Sequence, residues 1–571
     1  MEVVPDPMAR AGPFVRAAGA HAEVWMRRAT LEEFVLGDVL RTRARTHRTE
    51  TFLKFYDGDI TYGEVDAMAD RVAQGLIAGG VRPGEHVAVM LPNGPEIVYV
   101  IFALARLGAV AVPVNTAHQG EVLRHVLGSS DSSMLIIDAA YSHRLVPLAS
   151  RLPGLRRVIV YGAEAKRIPG LPGQLVTGWP ELLSHGAEPP RADVAFHDLQ
   201  AIMYTSGTTG PSKGAMCSHA LALMCAYDSL NFLDRWGKTT YCPLPLFHAA
   251  GLWDGMMSAL LSGGSIAIVD KFHASKFWDD VRRFDAAVAM SVFSMIPILL
   301  SRDPRPDDRD HPLEMFYMGK SSLDEPLRER FGVRSVETYT STEAGIATGS
   351  PYGEWKTGSC GTAHDERFTV AVVDEHDREV GNGEPGELVL RPRQPFVLTT
   401  GYYGAPDATV ECFRNMWFHT GDRVWRDDDG YFYFLDRMKD SIRRRGENIS
   451  AFDLECEVNL HPAVLECAAI GVPSALEEED VKLAVVRRPG SRLDPEELIG
   501  FCQEKLPRHM VPRYLEFVDE LPRTPTDKVA KYRLRAEGDH GITATTWDRE
   551  AAGTEPASRD APGEEPMAVD G

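Results

Sequence analysis

Closely spaced cysteine pairs are missing from this chain. Its eight cysteines, at 217, 225, 242, 360, 412, 456, 467 and 502, form no Cys-x-x-Cys pair and no zinc-type spacing. That excludes a disulfide scaffold or zinc module and leaves reduced thiols. Positive charge is also in deficit. A formal net charge of −21 argues against a general nucleic-acid or anionic-membrane surface, so any polyanion must be met by local cations. Long apolar runs are lacking too: the longest, Ala286 to Leu300, carries two serines and Pro297 and is too short for a bilayer. The N-terminus mixes acidic residues with Arg and Pro and signals neither secretion nor membrane insertion, so a cytoplasmic enzyme is expected.

What is present is enough chain for several cores, since 571 residues with 44% apolar content exceed what one core holds. Apolar runs at His86–Met90, Val110–Val114 and Met134–Asp138 read as strands, alternating with helical stretches at Glu96–Leu107 and Glu121–Leu127. The alternation resumes with strands at Ser265–Asp270, Val288–Ser291, Met315–Met318 and Ser335–Tyr339, separated by helices at Ser275–Phe284 and Asp324–Phe331. This predicts an α/β fold with a large N-terminal domain of two βαβ-type subdomains. Short alternating strands with Gly, Pro and Asp turns from Phe368 to Phe434 predict a β-rich subdomain. A small mobile α+β C-terminal domain follows, in which Asp494-Pro495-Glu496-Glu497 is a helix start. The expected boundaries are an N-terminal extension over 1–30, a nucleotide-binding domain over 31–436, a C-terminal domain over 437–536 and a disordered acidic tail over 537–571.

Between Thr205 and Gly214 lie three glycines, five hydroxyls and one lysine. Gly207, Gly210 and Gly214 permit close backbone approach; Thr205, Ser206, Thr208, Thr209 and Ser212 offer donors; Lys213 offers charge. The composition suits the polyphosphate of ATP. Lys213 is followed by Gly214 and not by Ser or Thr, so the spacing is not that of a Walker A loop.

The segment Met203–Ala215 instead resembles the signature loop of the adenylate-forming superfamily: acyl-CoA synthetases, aryl-CoA ligases, luciferases and peptide-synthetase adenylation domains. The resemblance continues from about Leu31 to Arg535. Tyr339-Thr340-Ser341-Thr342-Glu343 is similar to the family's Tyr-Gly-x-Thr-Glu, which implies that Tyr339 stacks near adenine, with Thr342 beside it, and that Glu343 holds Mg²⁺ together with hydroxyls such as that of Thr205. Trp417–Asp422 resembles Trp-x-x-Thr-Gly-Asp, implying that Asp422 binds the ribose. Asp436–Asp440 and Arg445–Ile449 resemble the hinge and glycine turn, implying a nucleotide contact for Arg437 and passage of the CoA pantetheine arm past Gly446. Leu521–Lys528 resembles the loop bearing the adenylation lysine, Lys528. Phe247-His248-Ala249-Ala250-Gly251 resembles the Phe-His-x-x-Gly element of the acyl pocket, so His248 is expected to contact or gate the substrate. Lys213, Lys528 and the metal would then stabilise charge developing on the α-phosphate and the departing pyrophosphate.

The similarity points to the carnitine/crotonobetaine-CoA ligase-like branch. Three departures accompany it: Met318-Gly319-Lys320 where relatives have a Gly-Gly/Ala turn, Thr340 for glycine, and Asp527 for glycine. Lys320 reads equally as an anion contact or a solvated lysine. Arg443, Arg444 and Arg445 read as CoA-phosphate contacts or as a solvated basic face. No aspartate lies between Leu244 and Leu252, which disfavours an α-amino acid. The implied reaction joins an organic acid to CoA through an acyl-AMP. The alternative passes an activated acid or small anion, nitrite included, to an amine or a carrier-protein thiol, as in secondary metabolism. Neither nucleic acid nor membrane is an expected partner, and the oligomeric state stays open, a homodimer included.

Overall fold

The computed structural model describes residues 30–162, 175–190, 192–205, 211–233, 235–292, 295–300, 302–350, 353–437, 441–474, 478–522, 529 and 531–552, with backbone alone at 175, 435–437, 441, 448, 450, 452, 456 and 532. The expected N-terminal extension, Ser206–Gly210 and Lys528 therefore lie outside the described residues.

Two seven-stranded sheets form the body. The first runs Leu175–Gly178, Arg157–Tyr161, Met134–Asp138, His86–Met90, Val110–Pro113, Leu199–Thr205, Lys213–Ser218. The second runs Arg334–Val336, Met315–Tyr317, Val288–Met290, Thr239–Cys242, Ser265–Ile268, Thr51–Phe55, Gly58–Thr61. Both are parallel except at one edge, where Lys213–Ser218 and Gly58–Thr61 pair antiparallel with their neighbours. Parallel strands must be covered on both faces, and the alternation of side chains shows that they are. Val87 and Val89 face a large core, while Ala88 and Met90 face a second one. The large core also takes Phe52, Ile266 and Tyr317 from the other sheet, so both sheets share it. Helices Pro95–Leu107 and His219–Leu233 contribute to that layer, and their residues are buried almost all round. Pro95 opens the first and Gly108, left-handed at φ 64°, closes it.

The reading of two successive subdomains needs one amendment. Strands Thr51–Phe55 and Gly58–Thr61 precede the first sheet in the chain but complete the second, Leu53 lying opposite Ile266. The run Ser335–Tyr339 also divides: Arg334–Val336 ends the second sheet, and Tyr339–Ser341 begins a separate three-stranded one. The expected β-rich region is a four-stranded antiparallel sheet, Phe368–Val373, Gly386–Pro392, Phe418–Arg426 and Phe432–Arg437.

The C-terminal unit has its own core around Val464–Pro473, Glu479–Arg487 and Tyr514–Phe517. Asp494 caps helix Pro495–Lys505 through the Glu497 N–H at 2.8 Å, as its sequence predicts. The tail expected to be disordered from 537 instead continues the fold to 552. Trp547–Asp548 adds a strand beside Tyr514–Phe517. The reason is electrostatic: Lys482 is fully buried, pairs with Glu516 and donates to the Gly541 carbonyl at 2.5 Å. Thr543, Thr545 and Thr546 add their hydroxyls to Glu516. A buried ammonium needs acceptors and its carboxylate partner needs donors; the tail supplies the Gly541 carbonyl to the first and the threonine hydroxyls to the second. No helix among the described residues is long and apolar enough to cross a membrane.

His219 fixes a pH limit on this body. Its Nδ1 accepts the Leu36 N–H at 3.2 Å, its Nε2 is buried without a partner among the described residues, and burial pushes its pKa down to about 4. The unfolded chain, near 6.5, takes the proton first, so the stability held by neutral His219 is full above 6.5 and is lost as pH falls toward 4. Thermal melts should lose stability across that window with a slope approaching about 1.4 kcal/mol per pH unit from this group, and His219→Gln should flatten the slope.

Candidate active site

A cavity of ≈ 490 Å³ opens where the parallel strands end. Its wall takes Thr205 at the end of Leu199–Thr205, and Leu244 just beyond Thr239–Cys242. Val292 follows Val288–Met290, and Met318 follows Met315–Tyr317. Open parallel sheets bind ligands at these carboxyl ends, because successive connections diverge there and leave a crevice.

The glycine-rich segment is anchored at both ends. Thr205 and Lys213 are cross-strand partners, so the residues between them start and finish at the cavity. Thr205 Oγ1 donates to Glu343 Oε1 at 3.0 Å, and the Tyr402 hydroxyl donates to the same oxygen at 3.1 Å. The Lys213 ammonium lies 5.3 Å from the centre of the Tyr402 ring. Burial and the Glu343 charge push the Tyr402 phenol far up, which keeps it a donor. One carboxylate, two hydroxyls and one ammonium thus converge. These are hard oxygen donors of the kind that hold Mg²⁺ against phosphate, although no group of three or more His, Cys, Asp or Glu side chains among the described residues makes a metal cage by itself.

A second group sits on the β-rich sheet. Asp422 is buried and accepts the Tyr339 phenol at 2.5 Å. Thr342 and Thr340 line the same cavity. Arg437 is the cross-strand partner of Asp422 through its backbone, and its side chain lies outside the described residues.

The third group joins the C-terminal unit to the body. His248 Nε2 lies 2.8 Å from Glu447 Oε2, and the Asn115 amide donates to that oxygen at 3.4 Å. Burial pushes Glu447 upward, but the charge and hydrogen bond of His248, aided by His509 and His118, bring it down to about 2. His118, buried against the same group, is pushed down to about 3. Gly446, at φ 80°, lines the cavity; a Cβ there would lie 2.9 Å from the Val292 side chain. Its N–H is received by the Glu478 carboxylate at 3.2 Å.

Of the residues singled out in the sequence, Thr205, Lys213, His248, Thr342, Glu343, Asp422 and Gly446 line one cavity, and Tyr339 reaches it through Asp422. Two sequence expectations change. Arg444 is buried, ion-paired to Asp480 at 2.9 Å and donating to the His509 and Val511 carbonyls, so it holds the C-terminal unit together and does not face CoA. Lys320 is not part of the cavity wall; its charge acts on Glu337. The sequence reading missed Tyr402, Glu447 and Asp254. Tyr402 stands between glycines at 401 and 404, Glu447 directly follows Gly446, and Asp254 interrupts an apolar run; each was a visible signal.

Comparison with known proteins gives consistent results. Residues 40–403 match the family described as AMP-binding enzyme, and 453–528 match the AMP-binding enzyme C-terminal domain. The crotonobetaine/carnitine–CoA ligase of Salmonella arizonae is 31% identical over 491 residues, covering 83% of this chain and 93% of that protein. ATP-bound MatB of Rhodopseudomonas palustris superposes with a TM-score of 0.64 at 26% identity, covering 88% and 98% of the two chains. The o-succinylbenzoate CoA synthetase of Bacillus subtilis with a bound product analogue superposes at 0.75 with 24% identity, covering 87% and 98%, a likeness of fold.

The Tyr339–Asp422 bond is testable without any substrate. Tyr339→Phe removes a neutral donor from a buried carboxylate and should destabilise the N-terminal body by about 2 kcal/mol in chemical denaturation.

Proposed function

Because this chain belongs to the AMP-binding, adenylate-forming enzyme family of ATP-dependent acid–thiol ligases, we propose that it activates a carboxylic acid as acyl-AMP with release of pyrophosphate and transfers the acyl group to the CoA thiol. The observation that carries this reading is the convergence, on one cavity, of Thr205, Lys213, Glu343 and Asp422 from the body with Gly446 from the C-terminal unit. We assign residues 31–436 to the nucleotide-binding body and 437–552 to the C-terminal unit.

The roles follow from charge and position. An acid and ATP repel each other, so cations must lie where the α-phosphate and pyrophosphate carry charge; Lys213 and Lys528 are assigned there, with the donors of Ser206, Gly207, Thr208, Thr209 and Gly210. Glu343 and Thr205 would hold Mg²⁺, which when bound neutralises and orients phosphate oxygens. Tyr402 donates to Glu343 and holds it aimed, and Tyr339 does the same for Asp422, which is assigned to the ribose hydroxyls; Arg437 is assigned to the nucleotide. His248 borders the acid, and its pairing with Glu447 ties the acid subsite to the turn that carries Gly446. The missing side chain lets the Gly446 turn pack closely against Val292 in the cavity wall, and Gly446 is assigned to the passage of the pantetheine arm.

The test is pyrophosphate release with ATP and Mg²⁺ on aliphatic, betaine-like and aromatic acids and on nitrite, each with and without CoA, with products identified by mass. A CoA thioester is expected; turnover of nitrite that requires an amine and ignores CoA would replace this reading with the amine-acceptor one. Glu343→Gln should lower pyrophosphate release by roughly 10² to 10³. Gly446→Val, strained at positive φ and in contact with Val292, should cut thioester formation by at least about tenfold while ATP–pyrophosphate exchange survives; equal loss in both assays would remove the acceptor role of Gly446.

A further inference from the structure

Asp254 is a buried acid in the wall of the cavity that none of the assigned roles uses. It lies in the π-helical segment Ala250–Met257, directly after the Phe247–His248 element, where the wider i→i+5 turn replaces ordinary helix. Its neighbours Leu252, Trp253, Met256 and Met257 are apolar and fully buried. A carboxylate in such surroundings is costly unless it is paired.

Several other buried acids are ion-paired, and buried Asp280 and Asp422 receive short tyrosine hydroxyl bonds. Asp228 is held by both nitrogens of Arg367 at 3.0 Å, Asp70 by Arg106 at 2.6 Å, and Asp480 by Arg444 and Arg513. Asp254 has no ion pair among the described residues. The nearby Arg235 guanidinium donates instead to the Asp254 main-chain carbonyl at 2.6 Å and to Ser229 and Ser258. The carboxylate itself receives two weak contacts, both on Oδ1: the Cys225 thiol at 3.6 Å and the Tyr317 hydroxyl at 3.3 Å. Oδ2 receives none among the described residues, and Asp254 is one of the residues that line the cavity. Burial pushes the Asp254 carboxyl up to about 7, against the pull of Arg235 and the hydrogen bonds of Cys225 and Tyr317 and with the help of Asp228.

The position within the cavity is as informative. His248, Thr205 and Glu343, at the end where an acid must meet ATP, are partly exposed, whereas Asp254 is 1% exposed. The wall of the same cavity also carries apolar or small residues: Ala249, Ala250, Val292 and Met318. A wall of apolar and small residues with one buried, unpaired acceptor recognises a molecule with an apolar body and one hydrogen-bond donor. A site built to accept a hydrogen bond rejects the analogue that lacks the donor, because the buried acceptor is then left unsatisfied.

We propose that Asp254 is the specificity-determining contact of the acid subsite, and that the acid activated here carries an uncharged amino or hydroxyl donor on the end remote from its carboxylate, an aminated or hydroxylated aromatic acid being the simplest case. This rests on the reading of the cavity as an acid-activating site.

The experiment compares kcat/KM for pyrophosphate release on matched acids: benzoate and phenylpropenoate against their 3- and 4-hydroxy and 3- and 4-amino derivatives, with crotonobetaine as a permanently cationic acid without N–H donors. At least one donor-bearing acid should exceed its parent by about 10- to 100-fold in the wild-type enzyme, and that ratio should fall to within about threefold of unity in Asp254→Ala. Asp254→Asn, which keeps a carbonyl acceptor, should give an intermediate ratio. Parent acids used as well as their derivatives, crotonobetaine preferred over all of them, or a ratio unchanged in an Asp254→Ala enzyme that binds ATP like the wild type would each overturn the inference. If Asp254→Ala does not fold, the wild-type ratios and Asp254→Asn decide it. No release from any acid of this panel, or turnover without discrimination, overturns this inference alone, whereas no release from the wider set of aliphatic, betaine-like and aromatic acids overturns the acid-activating reading itself.

Discussion

Parallel strands cannot be left facing water on one side, and this requirement governs the molecule. Two largely parallel sheets solve it by sharing one apolar layer, in which helices such as Pro95–Leu107 and His219–Leu233 are buried nearly all round. The shared layer fixes the strand ends, and the strand ends make the cavity: Thr205, Leu244, Val292 and Met318 are all residues at or just past a carboxyl end. The site is thus a by-product of how the core is closed.

The same arrangement lets an acidic chain handle an anion. With a net charge of −21, the long-range field opposes a polyphosphate, so binding must come from groups fixed at short range. The structure places the Lys213 ammonium over the Tyr402 ring and ties Glu343 to two hydroxyls, so the carboxylate that faces the glycine-rich strand ends is hydrogen-bonded and held in place. At the domain junction the charges reverse roles: Glu447 meets His248 and His118 of the body and lies near His509 of its own unit, so the C-terminal unit docks with its acid against the body's imidazoles. Asp254 stands apart from both arrangements: among the described residues its carboxylate has no ion pair, since Arg235 donates instead to the main-chain carbonyl and to two serines, which is why its partner is sought outside the chain.

Much of this could be read from the sequence, and the reasons for the exceptions are physical. Strands such as His86–Met90 and the cap at Asp494 follow from local pattern, which depends on neighbours within a few residues. The motif residues Thr205, Glu343 and Asp422 were identified because each belongs to a segment whose order resembles a family; their mutual geometry was not legible, since Tyr402 and Glu343 lie 59 residues apart and meet only in the fold. The hairpin Thr51–Thr61 was invisible as part of the second sheet because register across distant strands leaves no local trace. The tail to 552 reads as disordered because it is poor in apolar residues, yet its Gly541 carbonyl accepts from the buried Lys482 and its threonines donate to Glu516, the partner of Lys482. Arg444 misled for the opposite reason: three adjacent arginines look alike on paper, and only packing shows that one of them is internal.

The placement of the hairpin Thr51–Thr61 also sets an order of events as the chain leaves the ribosome. Its partner strand Ser265–Ile268 is synthesised more than 200 residues later, which at ordinary translation speeds is a wait of roughly 10–40 s. During that interval the first sheet can assemble, but the second cannot close, and the strand Thr51–Phe55 keeps one edge unpaired. The body therefore does not mature half by half: the earliest strands are among the last to be locked, and an arrested or truncated chain would carry a free β edge in search of a partner.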